Sequence, residues 1–508
     1  MNIINRRKFL VNCGAGAGIL LGSSLLMSPF MSGCSGGGKM PHDAGIFGFS
    51  KEEINKLLQI ALSKGGDFSE LFFEHRISNN LILEEDLIKN SSETLSLGVG
   101  VRVIKGKQTG YAYTNDLTFE EIKNAALAAA VIATGNSKVS KVNVAEKNYD
   151  RQVYQVAHPL AKEILEPKID LVQRANEAAK SFDSKIEKVT VRLSDQLQTV
   201  SIANSDGLLI EDARPQTRLT AIATAKDGDK RSTGYHSGGG RVGIDFYHNV
   251  KTPEIIGKNA AEEAIILVKA DNAPAGEYPV VLGEGQSGVM IHEAVGHPLE
   301  GDANWKKQSI MADKMGEKVA NDIVTIYDDA TINDYRGSLN IDDEGTLTEN
   351  VMLIEKGKLV GYLNDRLSAK LLNMKANGHG RRQSYKYPPI PRMNNTILAK
   401  GNHTTEEIIK SVEKGFYAKT YQGGMVDNTG KFTFSVNLGY WIENGEITKP
   451  IKNATLIGSN IQILQNVDMI ANDMGFFLGT CGKAGQSVPV TAGTPTLRIS
   501  KMTVGGVV

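Results

Sequence analysis

Thiols are scarce in this chain: three cysteines in 508 residues, at positions 13, 34 and 481. A disulfide framework is therefore excluded as the source of its stability. Charge of either sign is also missing as a bias, because 57 Lys and Arg balance 57 Asp and Glu. Basic residues never run longer than Arg6-Arg7-Lys8. A grip on nucleic acid needs a basic stripe that neutralises phosphates, so nucleic acid is excluded as a partner. There is no Walker-type phosphate loop, no GxSxG elbow and no dinucleotide fingerprint following a strand. Gly238-Gly239-Gly240 lies in a strand-turn context and reads as a turn rather than a phosphate cradle.

Long apolar runs are absent from the body of the chain. The segment Val11 to Met31 comes nearest, but Gly14, Gly16, Gly18, Gly22 and Pro29 dilute it, which argues against a membrane-spanning anchor. The preceding Asn5-Arg6-Arg7-Lys8-Phe9-Leu10 reads as a twin-arginine export signal. Met31-Ser32-Gly33-Cys34 resembles a lipobox, with Met as a departure at the third position back, and makes Cys34 the candidate lipid acceptor. Residues 1–34 are thus expected to be a signal and 35–47 a glycine-rich tether. The expected location is periplasmic or membrane-anchored, with membrane contact only through the signal or a lipid. Cys13 falls inside the signal, so Cys481 is the single thiol of the mature body. Two readings of it stand: a small buried hydrophobe or a metal ligand.

What remains is a soluble, globular composition, 41% apolar and 22% charged, long enough for two domains. Ser50-Lys51-Glu52-Glu53 opens a helix predicted to run to Lys64. Strand-like alternation follows from Glu70 to Thr114. Helices are expected over Thr118 to Ala133, near Lys162 to Phe182, and over Pro253 to Lys269. Long strands occupy Lys188 to Asn204 and Leu208 to Lys226. This order predicts an N-terminal α+β domain, residues 48–272, with helices packed on an antiparallel sheet. A β-rich C-terminal domain is expected over 277–508, carrying a helix from about Ser287 to Leu299. Its strands are expected at Val324 to Asp328, Leu347 to Glu355, Leu359 to Asn364, Lys431 to Ile442, Lys452 to Leu464 and Gln486 to Thr503.

That helix holds His292-Glu293-Ala294-Val295-Gly296-His297. Zinc peptidases place two imidazoles on a metal with a carboxylate beside the metal-bound water through a similar pattern, but with two residues between Glu and the second His. Here there are three. Positions i and i+5 sit roughly 140° apart on a regular helix, so His292 and His297 converge only across a π-bulge or a break near Gly296. The alternative is an ordinary helix with two unrelated histidines.

The C-terminal half resembles the TldD/PmbA family, in its TldD-type form. The resemblance rests on His292-Glu293-Ala294-Val295-Gly296-His297-Pro298-Leu299-Glu300-Gly301-Asp302, Gly337-Ser338 and Asp342-Asp343-Glu344-Gly345. It continues in Gly380-Arg381-Arg382-Gln383-Ser384-Tyr385, Pro391-Arg392-Met393-Asn394-Asn395-Thr396 and Cys481-Gly482-Lys483-Ala484-Gly485-Gln486. With weaker matches upstream it extends from about residue 48 to the C-terminus. It implies a zinc (Zn2+) peptidase acting on unfolded or leader-type peptides, paired with a TldE/PmbA-like paralogue that lacks the HExxxH motif. It also implies His292, His297 and Cys481 as metal ligands and Glu293 as catalytic base. Two departures stand out. Family members are usually cytosolic, and Ala294 and Pro298 replace residues that are commonly glycine; Pro298 should end or kink the helix.

Two imidazoles and a thiolate leave a fourth position for water, whose proton Glu293 is placed to take. His379, Arg381, Arg382 and Tyr385 are candidates for an oxyanion donor, or else a structural turn. Asp342-Asp343-Glu344 reads as carboxylates that orient a ligand histidine, or as an acidic turn. The other histidines (42, 75, 158, 236, 248 and 403) carry no motif and are expected to be structural or superficial. The expected function is an exported zinc-dependent peptidase, Glu293 activating a zinc-bound water. The competing reading is a non-catalytic peptide- or metal-binding lipoprotein of the same fold.

Overall fold

The computed structural model describes residues 46–506, apart from 134, 136–140, 155, 157 and 428. The export signal, Cys13, Cys34, His42 and nearly all of the tether lie outside the described residues. Helix α1 (Lys51–Leu62) forms because Ile54, Leu57, Leu58 and Ala61 recur at helical spacing and turn one face inward. Its start is fixed by the Ser50–Glu53 capping box: the Glu53 amide donates to Ser50 Oγ at 3.3 Å and the Ser50 amide to Glu53 Oε2 at 2.9 Å. Next come the strands β1 (Phe68–Glu84), β2 (Leu87–Lys105) and β3 (Gln108–Thr114), then α2 (Phe119–Ala130) with Thr118 as its N-cap. Helix α3 (Leu165–Lys180) precedes β4 (Ile186–Asn204), β5 (Leu208–Asp227) and β6 (Lys230–Gly240), and α4 (Pro253–Lys269) closes the segment.

These strands form one sheet in the order β3-β2-β1-β4-β5-β6, antiparallel along that path. Helices α1 and α2 bury Ile54, Leu58 and Ile122 against Phe73 and Val101. Helices α3 and α4 bury Leu171, Ala175 and Ile256 against Val191 and Ala221. This is the α+β arrangement that the helix and strand order predicts. Gly238 to Gly240 continue β6 to its end rather than forming a turn, and a Cβ on Gly239 would collide with the Thr217 carbonyl of the neighbouring strand.

The second half is built from strands. They are β7 (Gly276–Leu282), β8 (Ile326–Asp329), β9 (Asn350–Glu355), β10 (Asn395–Leu398), β11 (Lys414–Val426), β12 (Lys431–Glu443), β13 (Glu446–Lys452) and β14 (Ala454–Ser459). The chain ends in β15 (Gly475–Lys483), β16 (Gln486–Thr494) and β17 (Leu497–Gly505). One sheet runs β11-β7-β17-β14-β12, and pairing of β11 with β12 closes that path into a ring. Its alternating inward residues, Phe432, Phe434 and Val436 on β12, fill the core with Phe416 and Leu456. The other sheet runs β9-β8-β10-β16-β15, with β10 and β16 parallel and β15 at the edge.

Two strand expectations fail. Of the Leu359 to Asn364 segment only Leu359 lies in a strand, the two-residue Lys358–Leu359. Leu363 instead bridges to the turn at residues 299–301, its amide donating to the Leu299 carbonyl at 2.9 Å and its carbonyl accepting from the Gly301 amide at 2.7 Å. The Lys452 to Leu464 segment breaks at Asn453, whose φ of 58° turns the chain between β13 and β14, and Asn460–Asn466 is helical. No helix among the described residues is long and apolar enough to cross a membrane.

Candidate metal centre

The metal-motif segment is not a regular helix. An α turn at Gly288–Ile291 passes into a π turn at His292–Gly296 and then a 3-10 turn at His297–Leu299. The His297 amide donates to the His292 carbonyl, the i to i+5 bond that defines the π turn. That extra residue brings the two imidazoles onto one side, ring centres 5.1 Å apart and planes at 81°. Gly296 permits it, because a Cβ there would collide with the Met393 sulfur. Pro298, inside the 3-10 turn, ends the helical run as expected.

Strand β15 supplies the third group. Cys481 Sγ lies 3.4 Å from His297 Nε2. Ligand atoms of His292, His297 and Cys481 all fall within 4.8 Å of one another, and they form the one such cluster found among the described residues. The donor set suits a zinc ion. A tetrahedron with metal–nitrogen bonds of about 2.0 Å and a metal–sulfur bond of about 2.3 Å has a nitrogen–sulfur edge of about 3.5 Å.

The electrostatics point the same way. Burial raises the Cys481 pKa, yet the adjacent His292 and hydrogen bonds to both imidazoles outweigh it and bring it down to about 4. The thiolate is the form that ligates metal. Burial works against charge on His297, but the Glu300 carboxylate and the bond to Cys481 raise its pKa well above the usual histidine range. A metal would take the place of that proton. Glu293 is pushed above the usual carboxylate range by burial, with the two imidazoles opposing. Its Oε2 sits 3.8 Å from His297 Nε2, beside the cluster rather than in it.

Glu300 orients His297, a role that the sequence reading does not assign. Its Oε2 meets His297 Nδ1 at 3.1 Å, which fixes the ring so that Nε2 faces Cys481. Lys483 Nζ at 3.0 Å holds Glu300 in turn. Burial raises the Glu300 pKa, but Lys483 and His297 prevail and hold it at about 2. The i, i+3 spacing from His297 was the available signal.

The residues proposed for that orienting role lie elsewhere. Asp342 accepts from the backbone amides of Glu344, Thr346 and Gly380. Asp343 pairs with Arg214, and Glu344 with Arg102 at 2.7 Å. Asp343 and Glu344 tie the two halves together and Asp342 fixes its own turn, instead of touching a histidine. The oxyanion candidates are displaced likewise. His379 bonds Asp328 at 3.1 Å, Arg381 donates to the carbonyls of Met393 and Pro489, and Arg382 pairs with Glu70. Tyr385 packs against Gly98. None of the four lines the cavity over the metal cluster. Among the motif-free histidines, His75 is buried and His236 half-buried in the N-terminal sheet, and desolvation drops the His236 pKa to about 4.

The cluster forms the wall of an open cavity of about 620 Å³. Val289, Ile310, Val426, Phe477 and Val490 give it an apolar lining around the polar centre. Cys481 belongs to an edge strand, so beyond β15 the sheet offers unpaired backbone groups.

Three family models match the chain: the PmbA/TldA metallopeptidase domain 1 over residues 69–133, the central domain over 158–268 and the C-terminal domain over 275–506. The sequence is 39% identical over 469 residues to a Haemophilus influenzae protein named metalloprotease TldD homolog, covering 90% of this chain and 96% of that one. It is 26% identical over 454 residues to a Saccharolobus solfataricus protein named zinc metalloprotease TldD homolog, covering 89% and 100%. In fold it is similar to TldE from Thermococcus kodakarensis, with a TM-score of 0.71 at 19% identity, covering 89% of this chain and all (100%) of the other.

Proposed function

The chain belongs to the PmbA/TldA metallopeptidase family, and from that premise we propose that it is a zinc-dependent peptidase acting on unfolded or extended peptides. The observation that carries this reading is the convergence of His292, His297 and Cys481 beside Glu293 on the wall of an open cavity. A zinc ion held by those three residues would acidify a water and polarise the scissile carbonyl. Glu293, with its raised pKa, takes the water's proton and returns it to the leaving amine. Glu300, fixed by Lys483, keeps the His297 ring turned toward the centre. The apolar lining lowers the local dielectric in which these charges act.

The substrate binds extended. The free edge of β15 can add a peptide strand beside Cys481, reading backbone rather than side chains, so a broad range of unfolded sequences is accepted. Folded proteins resist because their backbone is already paired. A TldE/PmbA-like chain without the HExxxH motif completes the groove from the other side. Digestion of unfolded and folded versions of one protein, with and without that partner, tests this. Cleavage is expected for the unfolded chain with the partner present; rapid cleavage of a stable fold, or full activity from a proven monomer, would count against it.

Export follows the twin-arginine route, which carries folded proteins and so suits an enzyme loaded with metal before transport. Arg6→Lys with Arg7→Lys should leave the protein in the cytoplasmic fraction, and Cys34→Ser should release it from membranes. Unchanged fractionation of both variants would refute this location.

A further inference from the structure

A second cavity, of about 310 Å³, lies between the N-terminal sheet and the β15–β16 hairpin. Its lining is rich in arginine. Arg214 and Arg382 are neutralised by Asp343 and Glu70. Arg241, Arg336 and Arg381 are not: among the described residues none has a carboxylate within ion-pair distance. Arg241, 2% exposed, has an Nε without a partner, donates through Nη1 to the Pro215 carbonyl at 3.4 Å and stacks on Tyr154. Arg336 donates to the Gly479 carbonyl at 3.0 Å and the Thr480 hydroxyl at 3.3 Å. Arg381 reaches only the carbonyls of Met393 and Pro489, at 2.5 and 2.7 Å.

Arg241 and Arg381 are buried and Arg336 is half-buried on the same cavity wall, and guanidiniums gathered there without a counter-charge are costly unless something neutralises them. Burial, together with the charges of neighbouring arginines, brings Arg336 and Arg381 down to about 9. The acids nearby are already engaged, Asp343 by Arg214 and Asp195 by Lys168 at 3.4 Å. A guanidinium fork is built to meet planar or tetrahedral oxyanions with paired donors, and the volume is at the small end of ligand sites.

We infer that this cavity is a ligand site distinct from the metal centre, taking a small doubly charged oxyanion between Arg241, Arg336 and Arg381. The anion is a phosphate group or the paired carboxylates of a small organic acid. Arg336 holds Thr480, whose neighbour Cys481 points the other way to the metal cluster. An occupant therefore bridges the N-terminal sheet to the strand that carries the thiolate.

The test uses the purified full chain. Inorganic phosphate and succinate are titrated separately at fixed ionic strength, with chloride as the balance, and Tm and heat of binding are followed. A saturable rise in Tm with phosphate assigns the phosphate source, and one with succinate assigns the dicarboxylate. Arg241→Gln and Arg336→Gln should each weaken binding by about tenfold or more, as expected for losing a charged hydrogen-bond donor. Cys481→Ser should keep the response, which separates it from an anion on the metal. Without ligand, Arg336→Gln should melt close to the wild type, because glutamine keeps a donor near the Gly479 carbonyl and the Thr480 hydroxyl while removing a half-buried cation that no carboxylate faces. No saturable response to either anion, binding undiminished in both arginine variants, or a marked loss of stability in ligand-free Arg336→Gln would overturn the site.

Discussion

Glu293→Gln is expected to bind metal as fully as the wild type and to lose turnover by on the order of 100-fold or more, the scale of a single general base. The amide preserves size and one acceptor oxygen but cannot accept the water's proton. Glu293 stands 3.8 Å from His297 Nε2 and is not in the ligand cluster, so metal content should not change. Its carboxyl is partly open to the cavity, and the substitution buries no new unpaired group. Elemental analysis and peptide cleavage on the same preparation check both halves. Wild-type cleavage by the variant would place the base elsewhere. Loss of metal would mean that Glu293 is a ligand.

The spacing of the motif made part of this centre legible before any coordinates. Three residues between Glu293 and His297 forbid a regular helix if the imidazoles are to meet, and the i to i+5 bond is the local solution. Capping and alternation were legible for the same reason, because Ser50 with Glu53, or Phe432 with Phe434, act over a few residues. What sequence could not show depends on distant partners. Asp343 and Glu344 look like part of any acidic turn until Arg214 and Arg102 arrive from the other half of the chain. Arg382 and Tyr385 are drawn into the same seam, the former by Glu70 and the latter through its amide to Glu74 at 2.8 Å. Glu300 lay within reach of helical-spacing arguments, yet its role needed Lys483 from β15 to fix it. The segment after Leu359 reads as a strand by alternation. Its hydrogen bonds go instead to the turn bearing Glu300, so a short bridge that braces the site was mistaken for a ladder.

Cys481→Ser should leave the fold in place and strip the metal. Serine fits the same buried position on β15, and the β15–β16 ladder, in which Cys481 faces Val488, does not use the side chain. The chemistry changes much more than the shape. Burial alone would keep the thiol protonated, but the two imidazoles hold it near 4 and make a thiolate available. A serine hydroxyl stays protonated beside the same imidazoles and offers the metal a weak neutral oxygen. Losing an outer partner of a ligand costs roughly 10–100-fold in metal affinity, so losing the charged ligand itself should cost at least about 100-fold. The loss should also appear in stability, since a ligand present at 1,000 times its Kd contributes roughly 4 kcal/mol to the folded state. Chelator titration followed by elemental analysis reads the affinity, and thermal melts with and without added zinc read the linkage. The wild type should melt higher with zinc, while Cys481→Ser should respond only at much higher zinc. Full zinc in the serine variant after the same dialysis would show that the thiolate is not a ligand. The three-residue centre would then reduce to two histidines on a π turn.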